Sequence, residues 1–205
     1  MTDKKSKKEL AKLFDRPSKN PLSAISILPH DVHFESQNSG ENVYILLRQH
    51  WVTNVPWVLK VLIGLFTIFS FFIVYFSGYF VELSDVFRTE QVILIGILGY
   101  LFLSTYALLG FLKWYFNAYI VTDERLLDLD FHGILHHRIS EANLLNIEDV
   151  SSSHIGVWQT LFGFGNVQIQ TAAEKLEFVF ENVPNPSYVQ DKIMDMATLL
   201  RGKDI

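Results

Sequence analysis

The chain has 205 residues, no cysteine and a formal net charge of −5. This length fits one small domain with a membrane anchor, and the lack of cysteine excludes disulfides and thiolate metal sites within it. The acidic balance argues against a nucleic-acid binder, which normally has a basic face. Hydrophobic residues make up 49% of the chain, and they concentrate in residues 55–114.

Residues 1–40 are predicted to form a flexible basic tail. The first 20 residues contain seven Lys or Arg against three Asp or Glu, and Pro17, Pro21 and Pro29 interrupt any long helix. The basic side chains either attract anionic lipid, at no more than ~1 kcal/mol each, or serve only as a solvated topology signal. Residues 41–54 are interpreted as an amphipathic juxtamembrane segment that leads into the bilayer.

Two uncharged apolar runs predict transmembrane helices at residues 55–81 and 91–114. Residues 61–81 form a run of 21 without a charged side chain, and residues 91–112 form a run of 22. At about 1.5 Å per residue the first run covers roughly 32 Å, close to the ~30 Å hydrocarbon core. A buried hairpin of a soluble protein is the alternative, and two adjacent runs of this length disfavour it.

The short connector at residues 84–90 predicts an antiparallel hairpin with both chain termini on one side. Residues 1–54 contain eight Lys or Arg, whereas residues 82–90 contain only Arg88. The positive-inside rule then places both termini in the cytoplasm, and the protein is expected in the cell (inner) membrane as a multi-pass protein. Small residues in the second span could allow close helix approach; they are Gly96, Gly99, Ser104, Ala107 and Gly110.

Aromatic and basic residues at the span ends are predicted to lie at the membrane interface, where amphipathic rings and long cationic side chains are favoured. These residues are Arg48, His50, Trp51, Trp57, Lys60, Lys113, Trp114 and Tyr115. No acidic residue, Lys, Arg or His lies in the middle of either span. The usual sign of an ion or proton pathway is therefore missing.

Residues 115–205 change from continuous apolarity to period-two alternation, which is typical of half-buried strands. Strands are expected at residues 126–131 and 134–139, around 145–148, and at 167–171 and 176–181, with short turns that indicate an antiparallel meander. A final helix is predicted from an N-cap at Asn185 to Gly202. Its first position is Pro186, and its apolar stripe contains Val189, Ile193, Met196 and Leu200.

A sheet of about seven strands with a C-terminal helix is the order of the pleckstrin-homology (PH) superfold. The stretches at residues 114–126, 146–150, 163–167 and 183–186, together with Arg48-Gln49-His50-Trp51, resemble the bacterial PH-like membrane proteins of the YdbS type. The resemblance covers about residues 41–195 and implies two transmembrane helices directly before a PH-like domain. The expected fold is therefore a transmembrane helix hairpin followed by a PH-like antiparallel sheet or barrel with a C-terminal helix.

Ligand and catalytic candidates in this domain are weak. Many PH domains bind phosphoinositides through basic residues in the first hairpin loop, but here Asp123 and Glu124 accompany a single Arg125, and residues 115–205 carry a net charge of −7. We therefore expect no phosphoinositide-type ligand. The 122–125 stretch is interpreted as a polar β-turn, and Gly163 and Gly165 as residues that permit a tight turn.

Metal and hydrolase interpretations are also disfavoured. Adjacent strand residues such as His136 and His137 point to opposite faces, and with His132 and His154 they are interpreted as part of a solvated surface. Residues 151–154, Ser-Ser-Ser-His, lack a nucleophile elbow and are expected to form a loop. No catalytic residue, metal site or cofactor is predicted.

The sequence thus favours a non-enzymatic interaction or scaffolding module, anchored in the membrane and presenting its PH-like domain to the cytoplasm. Its expected partners are the lipid bilayer and another protein or a second copy of the chain, with no nucleic acid. Two alternatives stay open: a lipid-sensing module, and an oligomeric component of membrane transport or envelope stress.

Overall fold

The computed structural model describes residues 10, 12–14, 23–29, 34, 36–78, 88–131, 137–172 and 177–202. The chain divides into two compact units. Residues 53–114 form the helical unit, and residues 1–52 together with 115–205 form the sheet unit. The sheet unit is therefore assembled from chain on both sides of the helical unit.

The helical unit consists of α1 (Val55–Phe76) and α2 (Thr89–Phe116), with a 3-10 turn at Trp51–Asn54 before α1. Both helices are long and apolar enough to cross a membrane, by length and composition. A helix of 22 residues is about 33 Å long. The charged residues of α1 and α2 are Lys60, Glu90 and Lys113, and each lies within about two turns of a helix end.

Glycines of the helical unit lie against large side chains of the other helix. A Cβ atom at Gly96 would lie 2.4 Å from the Phe72 ring, and one at Gly110 would lie 2.9 Å from the Trp57 ring. A Cβ at Gly64 would lie 2.8 Å from the Leu103 side chain. The absence of a side chain at these positions lets the helices approach closely, so the expectation for Gly96 and Gly110 is confirmed.

The sheet unit contains eight described strands in two antiparallel sheets. The first sheet has the order β1-β2-β3-β4-β5, with β1 (Ile25–Ile27), β2 (Val43–Arg48), β3 (Ala118–Thr122), β4 (Arg125–Phe131) and β5 (His137–Asn143). The second sheet has the order β6-β7-β8. It is formed by β6 (Ile147–Ser153), β7 (Phe164–Thr171) and β8 (Glu177–Pro184), and the unit also contains α3 (Val157–Phe162) and α4 (Pro186–Arg201).

Strand β2 differs from the amphipathic juxtamembrane segment expected for residues 41–54. It pairs with β1 on one side and with β3 on the other, and five of its six residues are buried. The pair Arg48↔Ala118 closes the β2–β3 ladder. The two apolar helices are thus inserted between neighbouring strands of one sheet, and the PH-like domain does not begin after them.

The N-terminal residues that the structure describes also contribute to the sheet unit. Leu10 is fully buried and Phe14 is 5% exposed in the main core, and Phe14 lies 5.9 Å from the Tyr44 ring. Ile25–Ile27 forms β1. The expectation of a flexible tail over residues 1–40 does not hold for these residues, because their apolar side chains have a core to enter.

The two sheets and α4 enclose the main core. Tyr119 of β3 stacks on Phe180 of β8 with ring centroids 4.4 Å apart, and its hydroxyl oxygen accepts a hydrogen bond from the Glu181 N–H. Burial raises the pKa of Tyr119. Helix α4 covers the core with the predicted stripe, since Val189, Ile193 and Met196 are fully buried and Leu200 packs against them.

Several local expectations need correction. Asn185 does precede α4, but it has φ 50° and its side chain makes no capping hydrogen bond, because the chain turns sharply out of β8 at this point. Residues 151–153 belong to strand β6, not to a loop. The returning strand is described from His137 to Asn143, and the first residues of its predicted range, 134–136, lie outside the described residues together with His132.

Candidate functional site

Arg48 ends β2 and packs inside the sheet unit. Its side chain is 7% exposed, its Nε donates to the Tyr115 carbonyl oxygen at 3.0 Å, and its guanidinium lies 4.7 Å from the Tyr115 ring centroid. Burial lowers the pKa of Arg48. Arg48 and Tyr115, both predicted at the membrane interface, therefore bind each other, and Arg48 connects the chain entering the helical insertion with the chain leaving it.

His50 is held against the second sheet. Its ring stacks on Phe164 with centroids 5.0 Å apart and planes 7° apart, and its backbone N–H donates to the Asn182 carbonyl oxygen at 2.7 Å. Burial lowers the pKa of His50, and Nδ1 accepts the Val52 N–H at 3.3 Å. The stacked ring and these hydrogen bonds position the chain just before Trp51.

Trp51 begins a row of exposed aromatic residues. Trp51 is 56% exposed and contacts Phe162 edge-on at 6.0 Å. Phe162 in turn stacks on Trp158, also at 6.0 Å. Together with the exposed apolar residues of and before α3, these side chains form one patch, which we call the α3 patch; its members are Trp51, Ile155, Val157, Trp158, Leu161 and Phe162.

Sequence reasoning identified Trp51 but missed the rest of the α3 patch. A signal was available: residues 150–173 contain no Asp, Glu, Lys or Arg, although residues 115–205 carry 19 charged side chains. Large apolar residues in a charge-free stretch between Gly156 and Gly163 indicate a short apolar segment, either in the core or on the surface. The prediction from period-two alternation did not include this segment, because α3 is a helix of about one and a half turns between two strands and has no such alternation.

The remaining predicted interface residues lie in the helical unit. The Trp57 Nε1–H donates to Asn54 Oδ1 at 3.0 Å, and the Trp57 ring packs over Gly110. Trp114 contacts Phe111 at 6.3 Å. Lys60 and Lys113 are exposed near helix ends. Their position at a membrane interface stays a prediction.

The turn between β3 and β4, for which no phosphoinositide-type ligand is expected, is organised by side-chain hydrogen bonds. Thr122 Oγ accepts the N–H groups of Glu124 and Arg125 at 3.1 and 2.9 Å. The Arg125 guanidinium is committed to carboxylates: its Nε and Nη2 donate to the two oxygens of buried Glu41 at 3.1 and 3.0 Å, and its Nη1 donates to Glu141.

An open cleft of about 330 Å³ lies beside this cluster. It is lined by Asn38, Glu124, Arg125, Glu141, Ala142 and Asn143. With two carboxylates flanking its single cation, the cleft offers no net positive charge to a phosphate group. The cleft lies beside β5, the last described strand of the first sheet, and its lining has two acidic side chains and one basic side chain.

Catalytic and metal candidates are not brought together. His154 Nδ1 lies 2.8 Å from the Phe164 carbonyl oxygen, and Ser152 Oγ lies 3.5 Å from Ser187 Oγ, so neither contact joins the histidine to a serine of the Ser-Ser-Ser-His stretch. Among the described residues, no group of three or more His, Asp or Glu is arranged to hold a metal ion.

Comparison with protein families decides the classification. The family model for the bacterial PH domain matches residues 42–197. The chain belongs to the bacterial PH domain family. The match begins at β2 and includes both apolar helices, in agreement with a sheet unit built from both sides of the insertion. Membership confirms the bacterial PH part of the resemblance drawn from the sequence motifs.

Comparisons with solved structures and with curated sequences give little further information on this bacterial PH domain. One solved structure, of a DUF1696 family protein with a pleckstrin-homology domain from Shewanella loihica PV-4, is similar at 15% sequence identity over 39% of this chain and 69% of that one, with a TM-score of 0.31. No curated protein sequence matches the chain.

Proposed function

We propose that this protein is a non-enzymatic interaction module, anchored in the cytoplasmic membrane by α1 and α2, whose bacterial PH domain binds another protein on the cytoplasmic side. The observation that carries the anchoring part is the insertion of the two apolar helices between β2 and β3. Since the chain leaves the sheet at Arg48 and returns at Ala118, paired across the ladder, the domain is held to the anchor at two adjacent points.

The surface of β5 supports the protein-binding part. Within the described residues, β5 pairs only with β4, so its other edge offers backbone groups for strand addition. Ile139 is 52% exposed, and Glu141 beside the acidic cleft is 51% exposed. An apolar residue and a carboxylate along an open strand edge favour an extended partner segment with apolar and basic side chains.

Photo-crosslinking in native membranes tests this proposal. A photoreactive amino acid at Ile139 is expected to capture a discrete protein partner, and Glu141→Lys in the same chain is expected to reduce that capture because it reverses the charge beside the edge. The matched control is the same photoreactive residue at Gln170, which is exposed on the second sheet. Equal products from both positions, or insensitivity to Glu141→Lys, would contradict binding at β5.

The orientation has its own test. A reporter fused after Ile205 should be active in its cytoplasmic form only, because Lys and Arg are concentrated before the first span. Activity of a periplasmic reporter at the same position would reverse the proposed topology.

A further inference from the structure

Among the described residues, most of the exposed large apolar side chains of the sheet unit belong to the α3 patch. Ile155, Val157, Trp158 and Leu161 are 66%, 78%, 68% and 69% exposed. Scattered exposed apolar residues are normal on a soluble surface, whereas a contiguous cluster marks a site of interaction. These four follow one another within seven residues and adjoin Phe162 and Trp51.

The projection is held in one conformation by polar contacts at its base. Gln159 Nε2 donates to Asn182 Oδ1 at 3.2 Å, and Gln159 Oε1 accepts the Ile155 N–H. The Asn185 N–H donates to the Gly163 carbonyl oxygen at 2.9 Å. Gly156 and Gly163 flank α3 at its two ends, with φ of 88° and 67°. Gln159 of α3 thus contacts the domain, whereas Val157, Trp158 and Leu161 are exposed.

The position of Trp51 directly before α1 and the lack of charged residues around α3 indicate which molecule covers the α3 patch. Trp51, in contact with Phe162, is also the first residue of the candidate membrane span Trp51–Phe76. The patch therefore adjoins the point at which the chain leaves the sheet unit for α1. The absence of Asp, Glu, Lys and Arg from residues 150–173 suits burial among uncharged lipid groups, and Trp is favoured at the headgroup level.

We infer that the α3 patch inserts into the headgroup–acyl boundary of the bilayer that α1 and α2 anchor, as a third and peripheral membrane contact. This inference rests on the proposed membrane anchoring, and it identifies lipid as the occupant of the patch. The contact depends on apolar burial and not on anionic headgroups, so it operates on zwitterionic phosphatidylcholine.

The natural absence of cysteine allows a direct test with the full chain. Single-cysteine variants Val157→Cys and Leu161→Cys carry an environment-sensitive fluorophore in nanodiscs that each hold one copy of the protein. The lipid is phosphatidylcholine, either plain or brominated near the start of the acyl chain. Ile73→Cys, exposed on α1, reports on anchoring, and Gln170→Cys is the aqueous control.

If the α3 patch inserts, brominated lipid quenches the labels at positions 157 and 161 and aqueous iodide does not. At position 170, iodide quenches the label and brominated lipid does not. Quenching by lipid at position 73 but not at 157 and 161 overturns the inference and leaves the proposed anchoring intact. Absence of lipid quenching at position 73 overturns the anchoring and the inference with it. Labels at 157 and 161 that are shielded from iodide but not reached by brominated lipid would indicate protein in place of lipid, and also overturn the inference.

Discussion

Glu41 is the most enclosed carboxylate of the cluster around Arg125. Its side chain is fully buried, and it accepts two hydrogen bonds from Arg125 and one from the Asn38 N–H at 2.9 Å. Burial alone raises the pKa of Glu41, but the hydrogen bonds from Arg125 and Asn38 outweigh it, so the net pKa is lowered. Deprotonated Glu41 therefore stabilises the fold.

The first prediction concerns Glu41→Gln, which should destabilise the protein by about 1–3 kcal/mol at pH 7 because Arg125 loses its buried anionic partner. Since the folded-state pKa of Glu41 is lowered, this stabilisation is present above the ordinary pKa of about 4.3 and is lost as the pH falls through the folded-state value. Thermal unfolding in detergent between pH 7 and pH 3 should show the wild-type and variant curves converge at acid pH. Exposed Glu124→Gln is the control and should leave the midpoint nearly unchanged.

Arg48 gives a second prediction at the residue scale. Arg48→Ala removes the hydrogen bond to the Tyr115 carbonyl and the contact with its ring, and should lower the free energy of unfolding by about 1–3 kcal/mol. Urea unfolding in detergent measures the loss. A variant as stable as the wild-type protein would mean that the Arg48–Tyr115 contact contributes nothing to joining the two ends of the insertion.

At the scale of elements, the β6–β7 pair depends on a close backbone approach at Gly165. A Cβ atom there would lie 2.3 Å from the Ser153 carbonyl oxygen and 3.1 Å from Pro186. The nearest of these atoms belongs to the backbone of β6, so it cannot move aside as the end of a flexible side chain would. The same strand pair positions α3 through the turn that follows Ser153.

Gly165→Ala should therefore destabilise the sheet unit by about 1–3 kcal/mol. It should also weaken amide protection at the β6–β7 ladder, which hydrogen exchange with mass spectrometry can localise. Gly202→Ala is the matched control, because the nearest atom to its Cβ would be Thr198 O at 3.5 Å. Unchanged protection in Gly165→Ala would show that the strands tolerate the added methyl group.

At the scale of the whole molecule, the sheet unit needs residues from both sides of the helical insertion. Tyr44, Ile45 and Leu47 of β2 are almost fully buried in the main core. At roughly 1.5–3 kcal/mol for each buried large apolar side chain, β2 contributes several kcal/mol of burial. This is comparable to the total stability of a small domain, about 5–15 kcal/mol.

Two shortened proteins test this dependence. A chain in which a short Gly-rich connection replaces residues 53–114 should be soluble and unfold cooperatively in urea, because β2 and β3 then form an ordinary hairpin. The fragment 115–205 should show no cooperative transition, because it lacks β1 and β2. Cooperative unfolding of the fragment 115–205 would mean that β2 is dispensable, and circular dichroism distinguishes the two results.

The sequence by itself determined the features that depend on local composition. The apolar runs predict α1 and α2 because helix length and hydropathy are local properties. Period-two alternation predicts β4, β7 and β8 for the same reason, and the stripe from Val189 to Leu200 predicts α4 and its buried face. The motifs around residues 114–126 and 163–167 were sufficient to indicate the family.

Only the tertiary structure decided which distant segments belong together. Val43–Arg48 and Leu10 carry no local sign that they pair or pack with residues beyond 115, since pairing across about 70 residues is fixed by the shape of the finished core and not by local pattern. The α3 patch was missed for the related reason that exposure is a property of the folded surface. Its apolar residues are equally compatible with a position in the core. They are exposed because the core behind α3 is formed by other side chains.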